Sequence, residues 1–288
     1  MANQIQKFKK YVELLDEVYQ SEAKTAVLES DATLARQGAN ANELIVPKLD
    51  MDGLGDYDRN SGYVNGSVSM RNETVEYNYD RGRKFSVDAM DDEETVGLAF
   101  GKLSSEFIRT KVVPEQDAFR FATYAALAGT KESGTLATGA DVLAALQKAT
   151  GAMDDAEVPS GSRHLFISPA LLVAAQNVDT NKSRDILSSF ATVTKVPKAR
   201  FFTAIDLKDG KSTGEEDGGF QKAADGKEIN FLIVEKSAVL QFTKHKVDKA
   251  IPPEDNADAD AWVFNFREYG LADAYENKTA GIYLHAKE

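Results

Sequence analysis

The chain has 288 residues, of which 42 % are hydrophobic, with a formal net charge of −12 and no cysteine. This length and apolar content suffice for one to three modules with a hydrophobic core. The acidic balance argues against a dedicated nucleic-acid binder, because phosphate binding needs clustered lysine and arginine. The absence of cysteine excludes disulfides, thiolate metal sites and cysteine nucleophiles, and no apolar run is long enough to span a membrane.

The first 30 residues predict an amphipathic helix. Its apolar residues recur at spacings of three and four: Ile5, Phe8, Val12, Leu15 and Tyr19. Two interpretations remain open for this helix. It packs on the core of its own chain, or it is an arm that docks on a partner subunit. Residues 31–61 then predict irregular structure, with the short apolar run Leu44–Val46 stopped by Pro47 and a loop from Asp50 to Gly62.

A long two-stranded hairpin is predicted from Gly62 to Tyr79. Apolar and polar residues alternate along 64–70 and again along 75–79, and Arg71–Glu73 is interpreted as the turn between them. A basic turn at Asp80–Arg83 and a short strand, Lys84–Asp88, follow. Because an isolated two-stranded ribbon is marginal in water, another surface must cover its apolar face. That surface belongs to this chain or to a neighbouring one.

A helical region is predicted from Asp91 to Ala128. Asp91 and Glu94 have capping-box spacing, and an apolar stripe follows at Val96, Phe100, Leu103 and Phe107. Pro114 is expected to kink this helix or to begin a new one. Gly129 is a natural stop.

From Gly134 onward the pattern predicts an α+β module of alternating elements. We expect helices over 140–149 and 170–177, strands over 163–168, 201–205 and 229–234, and a mobile, glycine-rich loop over 206–227. The remainder predicts closing strands, at 239–243, 262–266, 270–275 and 281–285.

The sequence offers little for catalysis. His164, His245 and His285 stand far apart, without metal-site spacing around them. Gly210-Lys-Ser-Thr213 is like the end of a phosphate loop, but position 205, where the first glycine belongs, is isoleucine. The acids at Asp88 and Asp91–Glu94 are interpreted as a solvated helix start rather than a cation site. We therefore predict a protein that is not an enzyme, with no cofactor, metal or catalytic residue.

The order of these parts resembles the tailed-bacteriophage major capsid protein with the Hong Kong 97-type fold, in particular those from phages of Gram-positive hosts. The segment Asp80–Asp91 with Glu94-Thr95 is similar to the family's passage from the extended loop into the spine helix. The remaining matching segments are Val113–Ala122 in mid-spine, Arg163–Pro169 and Val196–Phe201 in the axial domain, and Ala259–Arg267, Glu276–Lys278 and Gly281–His285 in the closing strands.

The resemblance implies an α+β fold in five parts. These are an N-terminal arm at 1–49, an extended β-hairpin loop at 50–86, the peripheral-domain spine helix at 87–133, an axial domain at 134–243 and peripheral closing strands at 244–288. It implies inter-subunit contacts through the loop, at Val64, Val68, Met70, Val75, Tyr77, Arg81 and Arg83, and through the arm, at Phe8, Val12 and Leu15.

The same resemblance implies a function. Subunits would form pentamers and hexamers of an icosahedral head that encloses double-stranded DNA without sequence-specific binding. The head would assemble in the host cytoplasm, with a scaffolding protein, a portal and a decoration protein as expected partners and the virion as its final location. We expect a separate scaffolding protein and no cleavage of the N-terminus. The alternative is an encapsulin-type cage that houses cargo enzymes.

One departure from the family concerns lysine. Some members join their subunits through a lysine on the extended loop, but 49–83 contains no lysine here. We therefore expect a shell held by noncovalent contacts.

Overall fold

The computed structural model describes residues 23–30, 36–37, 43–90, 98–178 and 180–288. The strands in this part of the chain are β1 (Arg36–Gln37), β2 (Glu43–Met51), β3 (Val68–Glu76), β4 (Tyr79–Asp88), β5 (Thr130–Ser133), β6 (Arg163–Ile167), β7 (Thr192–Lys195), β8 (Ile205–Leu207), β9 (Phe220–Lys222), β10 (Ile229–Glu235), β11 (Val239–Ile251), β12 (Ala261–Ala274) and β13 (Ile282–Ala286). The α-helices are α1 (Leu98–Phe107), α2 (Val113–Leu127), α3 (Gly139–Asp155), α4 (Pro169–Gln176) and α5 (Thr180–Ser188).

A five-stranded sheet in the order β5-β13-β10-β6-β7 forms the centre of the α+β module. Alternate residues of β10 enter two different cores, as the period of two in a strand requires. Leu232 and Val234 pack on the side of α2, together with Phe121 and Tyr124. Residues 231 and 233 point to the opposite face, where α3 and α4 cover them.

A second sheet, in the order β11-β12-β4, packs against the other end of the helical region. Phe264 and Phe266 of β12 meet Ile108 and Val112 in one cluster. The predicted closing strands were too short here, because β11 and β12 pair continuously over 12 positions with one bulge between Thr243 and His245. The last predicted strand belongs elsewhere: β13 pairs with β10 and β5 in the larger sheet.

The predicted long helix is interrupted by a π-helical segment, Ile108–Val112, between α1 and α2. Pro114 lies in the first turn of α2, where its missing N–H needs no partner, so the expectation of a new helix at this proline is confirmed. The helix thus contacts both sheets, since its first half lies on β12 and its second half on the five-stranded sheet. The predicted start at Asp91 and Glu94 lies outside the described residues.

A buried carboxylate on α2 anchors residues 24 and 25. Asp117 is fully buried and accepts hydrogen bonds from the backbone amides of Lys24 and Thr25, at 2.9 and 3.0 Å, and from the Thr25 hydroxyl at 2.7 Å. Arg200 donates to the same carboxylate at 3.0 Å. This network fixes residues 24 and 25 beside α2. The predicted helix does not reach residue 30, because Ala26–Leu28 is a short 3₁₀ turn.

The prediction of a hairpin from Gly62 to Tyr79 was wrong about which segments form its two strands. Residues 71–73 do not turn, since β3 runs through them and pairs in antiparallel register with β2 over nine positions, from Glu43 opposite Glu76 to Met51 opposite Val68. Pro47 lies inside β2 opposite Asn72 of β3, and among the described residues β1 pairs only with Leu44 and Ile45. A proline without a backbone donor is tolerated in a strand that lacks a partner on one side at that position.

Two further predictions in the α+β module need correction, and two elements there were not predicted. The predicted strand at 201–205 is absent, because Lys198–Arg200 forms a 3₁₀ turn and β8 begins only at Ile205. The predicted loop over 206–227 contains a small antiparallel pair, β8 with β9. The sequence reasoning also missed α5 and β7, whose segments show neither a long apolar run nor clean alternation.

Candidate assembly surface

The surface of the β2–β3 hairpin is unusually apolar. Large hydrophobic side chains that are exposed concentrate between residues 49 and 70: Leu49, Met51, Leu54, Tyr57, Tyr63, Val64, Val68 and Met70. Leu54 is completely exposed and Tyr63 is 88 % exposed. Elsewhere in the described residues only Met90, Val173 and Val178 are comparable. A contiguous exposed apolar patch of this kind is typical of a protein–protein interface.

The tip of this hairpin, residues 52–67, has a defined local structure. Asp58 accepts hydrogen bonds from the amides of Asn60 and Ser61, and its backbone pairs with that of Gly62, whose φ of +82° favours glycine. Tyr57 and Tyr63 meet edge to face with ring centroids 4.9 Å apart. The tip therefore presents its apolar side chains from an ordered turn.

The base of the hairpin is fixed to the body of its own chain. Leu44 and Val75 enter a small core with Leu240, Phe242 and Leu271. Asn78 behaves like a backbone unit: its side-chain amide donates to the carbonyl of Ala272 at 2.8 Å and accepts from the Ala272 N–H at 3.1 Å.

An ion pair supports the same base. Lys48 lies 2.7 Å from the carboxylate of Glu276 and 3.2 Å from that of Glu73. A rigid base with an exposed apolar tip is the arrangement expected of an arm that holds a neighbour.

The structure divides the predicted contact residues into two groups. Val64, Val68 and Met70 are 64–69 % exposed, in positions open to another chain. Val75 is 5 % exposed in its own core, and Tyr77 stacks on Tyr269 at 5.0 Å. In this conformation Val75 and Tyr77 therefore serve the chain's own packing.

The two predicted arginines also bind within the chain. Arg81 donates to the Glu115 carboxylate at 2.6 Å and to the Gly219 carbonyl at 3.3 Å. Arg83 donates to the Glu216 carbonyl at 3.0 Å. The arm residues Phe8, Val12 and Leu15 lie outside the described residues.

Sequence reasoning missed the tip residues Leu54, Tyr57 and Tyr63. It interpreted 50–62 as a polar loop because glycine and aspartate dominate the composition there. The available signal was the presence of large apolar residues between those glycines.

The described residues hold no cluster of histidine or carboxylate side chains able to bind a metal ion. His164 contacts the hydroxyl of Thr192 at 2.8 Å, and His285 stacks on Phe231. Both are structural contacts. No helix in the described part of the chain is long and apolar enough to cross a membrane.

The segment Gly210–Thr213 is a carboxylate-capped turn rather than a phosphate loop. The amides of Lys211 and Ser212 donate to Asp209 at 2.7 and 2.8 Å. These bonds and the one from the Ser212 hydroxyl lower the pKa of Asp209 to about 2. The donors that would bind phosphate are therefore already occupied by an ionised carboxylate.

Comparison with known proteins identifies the fold. The Gordonia phage Cozz structure is 11 % identical, with a TM-score of 0.62, over 93 % of this chain and 86 % of that one. The capsid structure of the cyanophage P-SCSP1u is 13 % identical, with a TM-score of 0.56, over 88 % and 85 %. The virus-like particle from Pyrococcus furiosus is 9 % identical, with a TM-score of 0.55, over 98 % and 99 %.

These structures share their fold with this chain along most of its length. No family model and no curated protein sequence matches the chain. The predicted α+β fold of a phage capsid protein is confirmed. At identities of 9–13 % the likeness concerns the fold, so the function is argued separately.

Proposed function

We propose that this protein is the major capsid protein of a tailed bacteriophage, and that its copies form the pentamers and hexamers of an icosahedral head around double-stranded DNA. The observation that carries this proposal is the exposed apolar hairpin on a fold shared with phage capsids. A monomer gains nothing from exposing Leu54 and Tyr63, whereas burying one such side chain against a neighbour contributes about 1.5–3 kcal/mol. A closed shell repeats that gain in every subunit.

The charge of the chain suits this role. A net charge of −12 leaves a shell that does not bind strongly to the phosphates of the DNA inside it. We propose the virion as its location, after assembly in the host cytoplasm. We propose a scaffolding protein, a portal and a decoration protein as its partners, and a structural rather than enzymatic role.

A second candidate is a cage of the encapsulin type, which houses cargo enzymes. The observation in its favour is the match to the Pyrococcus furiosus virus-like particle, which covers nearly all of both chains. The contents of particles isolated from the source cells separate the two proposals, since a phage head holds double-stranded DNA and a cage holds protein.

Shell formation is tested by expressing the chain alone and examining it by electron microscopy and sedimentation. We expect closed particles from the wild type and only soluble, folded subunits or capsomers from Leu54→Asp/Tyr63→Asp. The matched control is Val173→Asp/Val178→Asp, which places the same charges on exposed apolar residues outside the hairpin. Normal shells from the hairpin variant, or a wild type that remains monomeric, would contradict the proposal. Circular dichroism verifies that both variants fold.

A further inference from the structure

The hairpin tip contains the only asparagine–glycine pair in the sequence, Asn65-Gly66. An asparagine side chain can react with its own backbone, when the amide nitrogen of the next residue attacks the side-chain carbonyl carbon. Glycine favours this reaction, because it has no Cβ to obstruct the approach and adopts conformations closed to other residues. The attack is intramolecular, so its rate depends on whether the fold leaves the two groups free to meet.

The structure leaves both groups free at this pair. Residues 63–67 lie outside the strands, and Asn65 and Gly66 are both exposed. Within the described part of the chain, no hydrogen bond holds the Asn65 side chain or the Gly66 N–H. Hydrogen bonds begin one residue later, where the Ser67 amide donates to the Asp52 carboxylate at 2.7 Å and the Asp52 amide donates to the Ser67 carbonyl at 3.1 Å.

A second asparagine of the tip is held differently. Asn60 is followed by Ser61, whose amide is the group that would attack. That amide donates to the Asp58 carboxylate at 3.2 Å, and the amide of Asn60 donates to the same oxygen at 2.6 Å. At the base of the hairpin, the side-chain amide of Asn78 is bound to the backbone of Ala272. The fold therefore restrains these two asparagines and leaves the pair at 65–66 open.

We propose that Asn65 is a site of spontaneous deamidation in the unassembled subunit, and that the modified hairpin assembles poorly. The Gly66 nitrogen gives its proton to hydroxide and attacks Cγ of Asn65, and the new C–N bond closes a succinimide ring. The side-chain nitrogen takes up a proton from water and leaves as ammonia. Water then opens the ring at either carbonyl, which leaves aspartate or isoaspartate at position 65.

The product alters the surface that the proposed function requires. The tip already carries Asp52, Asp56 and Asp58 against the single Arg59, and the reaction adds a fourth carboxylate close to the exposed ring of Tyr63. An unpaired carboxylate opposes burial of this surface against a neighbour. Isoaspartate also lengthens the backbone by one methylene just before β3. The effect on assembly rests on the proposed shell function, whereas the modification itself does not.

The modification is tested on purified, unassembled subunits kept in mildly alkaline buffer, with the same chain unfolded in urea beside them. Peptide mass spectrometry with fragmentation follows the mass gained when a hydroxyl replaces an amino group, separately at Asn60 and Asn65. We expect the folded and unfolded chains to react at similar rates at Asn65, and the folded chain to react several-fold more slowly at Asn60. Several-fold protection at Asn65, or equal protection at both residues, overturns the proposal.

The matched variant for this measurement is Gly66→Ala. A Cβ at this position lies in ordinary contact with its nearest neighbour, the Cβ of Asp52 at 3.9 Å, so the tip accommodates it. We expect the reaction at Asn65 to slow several-fold in the variant, because the added Cβ obstructs the attacking nitrogen. An unchanged rate would show that the Gly66 amide is not the attacking group and would contradict the proposal.

The effect on assembly is tested by letting partly modified wild-type chains assemble and comparing the particles with the unassembled fraction. We expect modified chains to be enriched several-fold in the unassembled fraction, and Asn65→Asp to give fewer closed particles than the wild type. The matched control is Asn177→Asp, which adds the same charge at an exposed residue after α4 and should assemble normally. Circular dichroism verifies that both variants fold.

The outcomes separate this inference from the proposed function. Equal modification in particles and in the unassembled fraction, or equal loss of particles in the two aspartate variants, overturns the effect on assembly and leaves the proposed function intact. A wild-type chain that forms no particles refutes the proposed function and the effect on assembly with it. The rates measured on the unassembled subunit then still decide whether Asn65 is modified.

Discussion

Among single residues, Glu268 combines deep burial with an ionisable group. It lies on β12 facing α2 and is 1 % exposed. Gln116 donates a hydrogen bond to Oε1 and the hydroxyl of Thr243 lies 3.4 Å from the same atom, whereas Oε2 has no hydrogen-bond partner in the described part of the chain. Burial raises the pKa of Glu268, and the negative charge of Glu29 raises it further, whereas the positive charges of Arg120 and Lys246 lower it in part. The folded state therefore favours the protonated carboxyl group.

This burial predicts a pH dependence with a definite sign. Since the folded state holds the proton more tightly than the unfolded chain, the contribution of Glu268 to the free energy of unfolding falls as pH rises from the unfolded pKa through the raised folded pKa. Glu268→Gln cannot ionise and keeps an acceptor for Gln116. We expect the free energy of unfolding of this variant to decline less than that of the wild type as pH rises above the ordinary range of a glutamate, measured by urea unfolding.

The control for that measurement is Glu106→Gln, on an exposed glutamate that pairs with Arg109. This variant shows what the same substitution does at an exposed position. A Glu268→Gln protein whose stability changes with pH as steeply as that of the wild type would show that the buried carboxyl group does not titrate as inferred.

At the scale of elements, the sequence predicted those whose apolar runs are short and clearly bounded, and it misassigned the hairpin strands, which polar residues and a proline interrupt. The strands at 163–167 and 229–235 and the helix 169–176 fall where periodicity placed them, because their apolar runs are short and bounded. The hairpin was divided wrongly because the polar triplet Arg71–Glu73 has the composition of a turn. Its true partner, β2, contains Pro47, which a local pattern takes as a stop.

Helix α3 offers a prediction that depends on packing alone. A Cβ at Gly139 would clash with the carbonyl oxygen of Ala174 on α4, whereas a Cβ at Gly151 meets nothing within 4 Å. We expect Gly139→Ala to lower the free energy of unfolding by about 2–3 kcal/mol through overpacking. Gly151→Ala should raise it by about 0.5–1 kcal/mol, because alanine loses less entropy in a helix.

Chemical denaturation of the two alanine variants beside the wild type measures both changes, and each variant is the control for the other. Equal effects of the same sign would show that helix propensity, rather than the close approach of α3 and α4, governs this helix.

At the scale of the whole molecule, the order of the elements was predictable from the sequence. Which apolar residues of the hairpin are buried in their own chain and which are exposed was not. The sequence shows that Val68, Val75 and Tyr77 are apolar and alternate with polar neighbours. It does not show that Leu240, 165 positions away, covers Val75, that Tyr269, 192 positions away, stacks on Tyr77, or that Val68 stays exposed. Only the completed fold separates residues that stabilise a subunit from residues available to join subunits.

The composition of the hairpin decides how such a shell is held together. Between residues 49 and 83 there is no lysine to form an amide bond with a neighbour, and the chain has no cysteine. Lys48, at the edge of this stretch, is engaged by Glu73 and Glu276 of its own chain. We therefore expect assembled particles heated in SDS without reductant to dissociate completely into single chains on a denaturing gel.

A ladder of covalent oligomers would contradict this expectation, and peptide mass spectrometry would locate the bond. Lys84 is the nearest exposed alternative donor, on β4. A ladder that disappears in Lys84→Arg but persists in Lys195→Arg would assign the bond to that strand. A clean single-chain band means that noncovalent contacts hold the shell together. If the apolar tip supplies part of that cohesion, particles with Leu54→Asp should dissociate more readily than wild-type particles.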